Sequence, residues 1–147
     1  MKTIFILSLF ILVAFNSCNQ QEKSPIEGTW EMVSGKWTPL DSTVVYEYPG
    51  YFKDVSQLFM YSKNYFIYCG RFMSDTDTTD NYGGGTYQFD ENKYEETILY
   101  NSNPDIIGTK LAFELVIKND TLIKTGPIKE DEKKFGIKLT EVYIRKD

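Results

Sequence analysis

The sequence predicts an all-β protein built from antiparallel strands. Aromatic residues make up 16% of the chain, most of them tyrosine (11) and phenylalanine (10). Together with the β-branched residues around them, they favour strands over helices. About eight short runs follow one another, most joined by turn-length links, and no amphipathic helical period interrupts them. This layout is typical of an antiparallel barrel or of a sandwich.

The first half of this region contains three predicted strands and one long connection. Residues 30–37 form the first strand, and residues 55–61 and 65–72 form a pair joined by the short turn at residues 62–64. Residues 38–54 contain two prolines and a glycine, and they are too long for a hairpin turn. We therefore predict a lid or flap at residues 38–54.

Five more strands are predicted in the second half. The polar stretch at residues 74–82 is predicted to be a loop, and the glycine triplet after it opens a strand that ends at Phe89. The two residues Asn119 and Asp120 are predicted to join a hairpin. The remaining strands are predicted at residues 93–100, 109–118, 121–125 and 136–145.

The amino terminus has the layout of an export signal. A charged start precedes an apolar run at residues 4–15, which is followed by a small residue and Cys18. About a dozen apolar residues are too few to span a bilayer, which takes roughly 20. We predict a lipoprotein signal peptide at residues 1–17, a polar tether at residues 18–25 and one domain at residues 26–147. A secretion signal without lipid and a retained anchor are the alternatives.

Cleavage before Cys18 would make this cysteine the lipid-bearing amino terminus. A thioether-linked diacylglycerol and an N-linked acyl chain such as palmitate would then hold the protein to the bacterial cell envelope, because several chains together anchor stably. In lipoproteins an aspartate directly after the lipid-bearing cysteine is the signal for retention in the inner membrane, and here that position is Asn19. The expected location is therefore the outer membrane, with the membrane as a partner.

Charge and composition exclude several functions. The net charge is −5 and no basic cluster is present, which argues against nucleic acid as a partner. The chain has no histidine, so it lacks the commonest general base and the commonest transition-metal ligand. We predict no cofactor, no metal and no catalytic residue, and we expect a monomer. With Cys18 acylated, Cys69 has no disulfide partner and is predicted to be a buried strand residue.

Residues at both ends of the predicted domain resemble a known family. The Gly28-Thr29-Trp30 start and Arg145 on the last strand resemble the lipocalin-like (calycin) barrels, in which the tryptophan closes the barrel base and the arginine packs near it. The segments 83–87, 94–98 and 101–104 resemble small lipocalin-like lipoproteins of Bacteroidota. Tyr143 departs from the pattern, since tryptophan is usual there. The resemblance implies an eight-stranded antiparallel up-and-down barrel, lipocalin-like, with Trp30 and Arg145 at its base.

An eight-stranded barrel is just wide enough to be filled by side chains or to hold one small ligand. The residues that would line such a cavity are Phe66, Tyr68, Tyr87, Glu96, Tyr100, Phe113 and Tyr143. Plain core packing is the alternative for the aromatic residues. Glu96 could contact a ligand or form an internal ion pair, because a carboxylate inside a barrel needs a partner. Arg145 could hold a ligand carboxylate or stack on Trp30.

Three functional hypotheses follow from these residues. The first is a membrane-anchored, non-catalytic barrel that binds a small apolar or amphipathic ligand under the lid at residues 38–54. The second is an envelope interaction or structural module with a side-chain-filled barrel, contacting its partner through exposed aromatic residues of the lid, namely Tyr46, Tyr48, Tyr51 and Phe52. The third is an enzyme, for which the sequence indicates no reaction.

Overall fold

The computed structural model describes residues 23–128, 131, 133 and 135–147, and it shows a closed antiparallel barrel. The strands are β1 (Gly28–Pro39), β2 (Tyr46–Tyr48), β3 (Asp54–Tyr61), β4 (Tyr65–Met73), β5 (Thr78–Asp90), β6 (Lys93–Asn101), β7 (Lys110–Lys118), β8 (Thr121–Gly126) and β9 (Ile137–Arg145). A single 3-10 turn, Pro104–Ile106, precedes β7, and residues 131, 133 and 135 are helical. Within these described parts, no helix is long and apolar enough to cross a membrane.

Eight of the strands form the barrel, and β2 is an addition to it. From β3 to β9 each strand pairs with the next one along the chain, while β1 pairs with both β3 and β9 and so closes the sheet. The closing pair runs from Trp30 opposite Arg145 to Pro39 opposite Ile137. The predicted eight-stranded antiparallel up-and-down barrel is thereby confirmed.

The two ends of the barrel differ in the length of their connections. The lower end carries the tight links at residues 62–64, 91–92 and 119–120, and β1 begins and β9 ends there. Glu91 and Asn119 adopt left-handed backbone conformations, with φ of 54° and 53°, as tight hairpin turns require. The upper end carries the other four connections, including residues 40–53. The predicted lid therefore lies at the end through which a ligand would enter an open barrel.

Trp30 closes the lower end. Its side chain is fully buried, and its indole Nε1 donates a hydrogen bond to the Ile26 carbonyl at 2.8 Å. The Arg145 guanidinium lies 4.1 Å from the centre of the indole, and it donates to the carbonyl oxygens of Glu27 (2.8 Å) and Pro25 (2.7 Å). The arginine therefore joins the last strand to the segment that enters the first one. Its guanidinium group interacts with the Trp30 ring and with two backbone carbonyl groups at the base of the barrel.

The lid packs onto the barrel through aromatic rings. Strand β2 pairs with β1 between Gly35 and Trp37, on the edge that β3 leaves free. Phe52 contacts Trp37 and Phe72 edge-on, with ring centroids 5.8 and 5.2 Å apart. Because Phe52 packs against the core in this way, it is not part of an exposed contact patch as the second hypothesis supposed, whereas Tyr51 remains exposed.

Two features of the strands differ from the sequence prediction. Strand β5 begins at Thr78 rather than at the glycine triplet, so most of the predicted loop at residues 74–82 is strand. Asp80 faces outward and accepts two hydrogen bonds from Arg71 on β4, at 2.6 and 3.0 Å, whereas Asn81 faces inward towards Gln57. Cys69 is exposed on the outer face of β4, so the prediction that it is buried is wrong.

A β-bulge in β6 changes which residues face the interior. Gly84 lies opposite Tyr100 and Gly85 lies opposite Ile98, so Leu99 is an extra residue. Tyr100 consequently points outward and is 73% exposed, and the prediction that it lines the interior is wrong. Simple alternation from Ile98 places Tyr100 inside, and the sequence carries no mark of the extra residue.

The bulge explains why position 85 requires glycine. A Cβ atom on Gly85 would overlap the carbonyl oxygen of Thr97, a backbone atom that cannot move away independently. We expect Gly85→Ala to lower the free energy of unfolding by about 3 kcal/mol, since overpacking against backbone is poorly relieved. Urea denaturation followed by tryptophan fluorescence measures this loss. Thr86→Ala, one residue along β5, is the control and should cost about 1 kcal/mol or less. Equal losses for the two variants would contradict the bulge geometry.

Candidate functional site

The lower half of the barrel interior is filled by aromatic rings. Phe59, Phe66 and Tyr68 lie roughly parallel, with centroids 4.8 to 6.4 Å apart. Tyr61 meets Tyr94 edge-on at 6.0 Å, which brings the rings from β3 and β6 together across the barrel. Offset and edge-to-face pairs at these distances are favourable beyond their burial alone. No space for a ligand remains among these rings.

The upper half contains a small cavity with polar walls, referred to below as the chamber. Its volume is about 70 Å³, room for about two water molecules. Ile106 of the 3-10 turn and Phe135 close its top, and Phe135 meets Phe113 edge-on at 6.3 Å. The chamber is lined by Gln57, Phe59, Tyr68, Asn81, Glu96, Ile98, Ile106, Phe113, Lys124, Phe135, Leu139 and Glu141.

A buried ion pair crosses the chamber. The Lys124 Nζ lies 3.1 Å from the Glu96 carboxylate, and the two residues are 4% and 6% exposed. The same ammonium lies 4.0 Å from the centre of the Phe113 ring. Removing two charges from water is costly, and the attraction between them compensates only when the geometry is good. The aromatic face adds a second favourable contact for the cation.

A second carboxylate in the chamber is held by neutral donors. The Trp37 indole donates to Glu141 Oε1 at 2.8 Å, and the Tyr143 hydroxyl donates to Oε2 at 2.7 Å. Gln57 in turn donates to the Tyr143 oxygen at 3.1 Å. Among the described residues, no lysine or arginine forms an ion pair with Glu141. The chamber thus contains two carboxylates and one ammonium.

The tyrosines around the chamber are strong hydrogen-bond donors but poor acids. Burial, reinforced by the nearby Glu96 carboxylate, raises the pKa of Tyr61 and Tyr94 well above the ordinary value. Burial, with Glu141 as the next cause, does the same to the pKa of Tyr143. Within the described part of the chain, the Tyr94 hydroxyl is the one buried side-chain polar atom without a hydrogen-bond partner. These phenols stay neutral at physiological pH and belong to the packed core next to the chamber, whose own lining includes Tyr68.

The sequence-predicted site residues are distributed over three places. Phe66 and Tyr143 are interior core residues, and Tyr87 donates its hydroxyl hydrogen to the Ser62 carbonyl at the lower end, at 2.6 Å. Burial raises the pKa of Tyr87 to about 12. Those that reach the chamber are Tyr68, Glu96 and Phe113. Tyr100 lies outside the barrel, Trp30 and Arg145 form the base, and Cys18 lies outside the described residues.

Sequence reasoning missed four polar residues of the chamber, namely Gln57, Asn81, Lys124 and Glu141. Each has the inward phase of its strand: Lys124 alternates with Leu122, and Glu141 with Leu139. This inward phase could have been recognised in the sequence. It predicts that the charged side chain pairs with another polar group inside the barrel, because an unpaired buried charge is costly. Lys124 reaches Glu96 because only β7 separates β8 from β6 in the sheet, so inward side chains of these two strands lie near each other on the curved wall.

Metal and family comparisons add no further assignment. The described residues contain no group of three His, Cys, Asp or Glu side chains placed to hold a metal ion. No protein-family model matches the chain, and no curated protein matches its sequence. The fold and the site therefore define the molecule only as a closed antiparallel barrel, largely filled, with a small charged chamber beneath its upper end.

Replacing Lys124 tests the buried ion pair. Lys124→Met leaves the Glu96 carboxylate without its cation, and we expect the free energy of unfolding to fall by about 3 to 5 kcal/mol at neutral pH. Lys124→Met combined with Glu96→Leu should recover most of the stability.

The control for this experiment is an exposed pair. Lys53 pairs with Asp75 on the surface, and Lys53→Met should cost less than about 1 kcal/mol. Urea denaturation at neutral pH gives the free energy of unfolding of each variant. A double variant no more stable than Lys124→Met would show that the pair is not the source of the loss.

Proposed function

We propose that the protein is a lipid-anchored, non-catalytic barrel of the bacterial cell envelope that acts through its outer surface and carries no apolar ligand inside. The volume of the interior supports this proposal most directly. Pockets for small molecules usually measure about 300 to 1,000 Å³. The chamber measures about 70 Å³, and the aromatic rings below it are in contact.

The chemistry of the chamber also disfavours an apolar ligand. An acyl chain placed there would displace water from Glu96, Lys124 and Glu141 and offer no hydrogen bond in return. Entry from above would require both Ile106 and Phe135 to move. Both effects disfavour the first hypothesis, a ligand bound inside the barrel. Neither affects the second hypothesis, a barrel filled by its own side chains.

The anchoring part of the proposal rests on the amino-terminal pattern. Residues 1–17 and Cys18 precede the described residues, so their support is the sequence alone. The barrel base is consistent with a tether, because Arg145 holds the backbone at Pro25 and Glu27 beside the start of β1. Four residues lie between Cys18 and Lys23, and the five steps of an extended chain from one to the other reach at most about 17 Å. A lipid on Cys18 would therefore hold the lower end of the barrel close to the membrane.

A second candidate function has one observation in its favour. With Glu96, Glu141 and Lys124 all ionised, the chamber carries one net negative charge, and a cation would balance it. An amphipathic ligand with a small ammonium head group could place that head in the chamber, with its tail leaving past Phe135. An amphipathic acid would instead add a third carboxylate and be repelled.

The two cysteines of the chain give a matched test of the anchor. In bacteria supplied with labelled palmitate, we expect the chain to incorporate label and to fractionate with the outer membrane. Cys18→Ser should lose both properties because it removes the acceptor thiol, and Cys69→Ser should lose neither. Incorporation of label by Cys18→Ser, or its absence from the unaltered chain, would overturn the anchoring proposal.

Thermal unfolding with two matched amphiphiles tests the interior. Dodecanoate, dodecylamine and a lipid extract should leave the unfolding temperature of the acylated chain unchanged, because the filled interior binds none of them. A ligand that did bind would be detected, since at 100 times its dissociation constant it would stabilise the fold by about 2.7 kcal/mol. Stabilisation by dodecylamine alone, abolished by Glu141→Gln, would support the second candidate. Stabilisation by dodecanoate or by extracted lipid would overturn the filled-barrel proposal in favour of an apolar ligand.

A further inference from the structure

One side of the barrel carries an uncharged, exposed surface, called the wall below. It covers the lower and middle rows of the outer faces of β3, β4, β5 and β6, and it ends above Cys69 and Tyr82 at the exposed Arg71–Asp80 ion pair. Apart from Cys69, which is also exposed, its residues have between 36% and 73% of their surface accessible to solvent. The wall consists of Met60, Tyr65, Ile67, Cys69, Tyr82 and Tyr100.

The strand register makes the wall continuous. Met60 lies directly opposite Ile67, and Cys69 lies opposite Tyr82. Gly84 lies between Ile67 and Tyr100, opposite both, and it adds no side chain to the surface between them. The bulge in β6 contributes to this surface, because it turns Tyr100 outward. Directly opposed side chains on one face lie about 5 Å apart, so Met60 is next to Ile67 and Cys69 is next to Tyr82.

The area of the wall restricts what can cover it. Strands lie about 4.8 Å apart and outward side chains recur about every 6.7 Å, so four strands with three outward rows cover roughly 400 Å². That is about as large an apolar patch as a monomer leaves exposed, and such patches usually mark a contact site. A stable protein interface needs about 800 Å² on each partner. The wall alone is therefore too small for a stable dimer.

The tether places the wall next to the lipid. The lower edge of the wall, at Met60, is opposite Thr29 near the start of β1, where the chain enters the barrel. The reach of about 17 Å between Cys18 and Lys23 is only slightly longer than the wall, whose lowest and highest rows lie about 13 Å apart along β4. A barrel held this closely has its lower end and one side against the membrane. The wall is the uncharged side adjoining the tether.

The composition of the wall fits a lipid–water interface. Three of its six residues are tyrosines, whose rings with a polar tip are enriched at the level of lipid head groups. No charged side chain belongs to the wall, and the whole chain has a net charge of −5, so attraction to anionic lipid does not contribute. A zwitterionic lipid surface matches this composition, because apolar and aromatic contacts are sufficient for binding to it.

We infer that the wall lies on the zwitterionic lipid surface of the membrane that holds the anchor, with the barrel axis roughly parallel to that surface. The inference rests on the proposed lipid anchor and extends it, because the anchor supplies proximity and the wall supplies orientation. The upper end, with its lid and chamber, then faces sideways into water and stays accessible.

Cys69 is a natural reporter in the wall. With Cys18 acylated, it is the only free thiol of the chain. The acylated full chain is added to preformed phosphatidylcholine–phosphatidylethanolamine vesicles and treated with a charged maleimide that does not enter lipid. Cys69 should react about tenfold more slowly than in the unacylated Cys18→Ser chain in solution, as for a surface covered about nine-tenths of the time. The matched control is Cys69→Ser with Thr140→Cys, whose thiol lies on the outer face of β9 across the barrel and should react at equal rates in both settings.

Two further variants separate lipid contact from other causes of protection. Ile67→Asp places a charge in the middle of the wall and should restore the reactivity of Cys69 on vesicles. Val116→Asp, at a similarly exposed position on β7 outside the wall, should leave Cys69 protected.

The possible outcomes distinguish the orientation from the anchor. An acylated chain whose Cys69 reacts as fast on vesicles as in solution overturns the wall inference and leaves the anchor intact. A chain that is never acylated overturns the anchor and the inference that rests on it. Slow reaction of Cys69 in the vesicle-free Cys18→Ser chain, with a doubled mass in sedimentation, means that a second copy covers the wall and also overturns the inference.

Discussion

The pairing of β1 with β9 is the constraint on which the rest of the structure depends. It joins residues about a hundred positions apart and turns a meander of hairpins into a closed barrel. The Arg145–Trp30 contact fastens the same pair at its lower end, because the guanidinium lies on the indole while it binds the backbone entering β1. Closure sets the radius, and with eight strands the radius is near the limit at which side chains fill the interior.

The interior follows from that radius. Large aromatic side chains on β3, β4 and β6 meet at the centre of the lower half, and the space above them is just enough for Lys124, Glu96 and Glu141 with a little water. An ion pair buried among aromatic rings is weak evidence of stability, because apolar side chains of the same size often serve as well. It does restrict how the barrel closes, since any shift in register would separate Lys124 from Glu96 and leave two charges unpaired.

The outer surface reflects the same register. Along β4 the inward residues are aromatic or glycine, while Tyr65, Ile67 and Cys69 face out, so apolar side chains occupy both faces of this strand. A strand that faces water on one side usually alternates apolar with polar residues. On β4 that alternation fails at Tyr65, Ile67 and Cys69 and returns at Arg71, and this departure is one of the observations behind the inferred lipid contact.

Much of the fold could be predicted from local patterns, because hairpin turns and alternation act over a few residues. The sequence alone determined the strand-rich class, most strand positions, the long lid and the inward phase of residues such as Phe113 and Glu96. It was less informative where a feature depends on contacts between distant strands. Polar residues 78–82 are strand because they pair with β4, where Asp80 meets Arg71, and Tyr100 is exposed because Leu99 is an extra residue between the partners of Gly84 and Gly85. Only the tertiary structure decided that the barrel is filled and that Lys124 meets Glu96, since filling depends on the closure of the sheet and the ion pair depends on the register of three neighbouring strands, which no local pattern specifies.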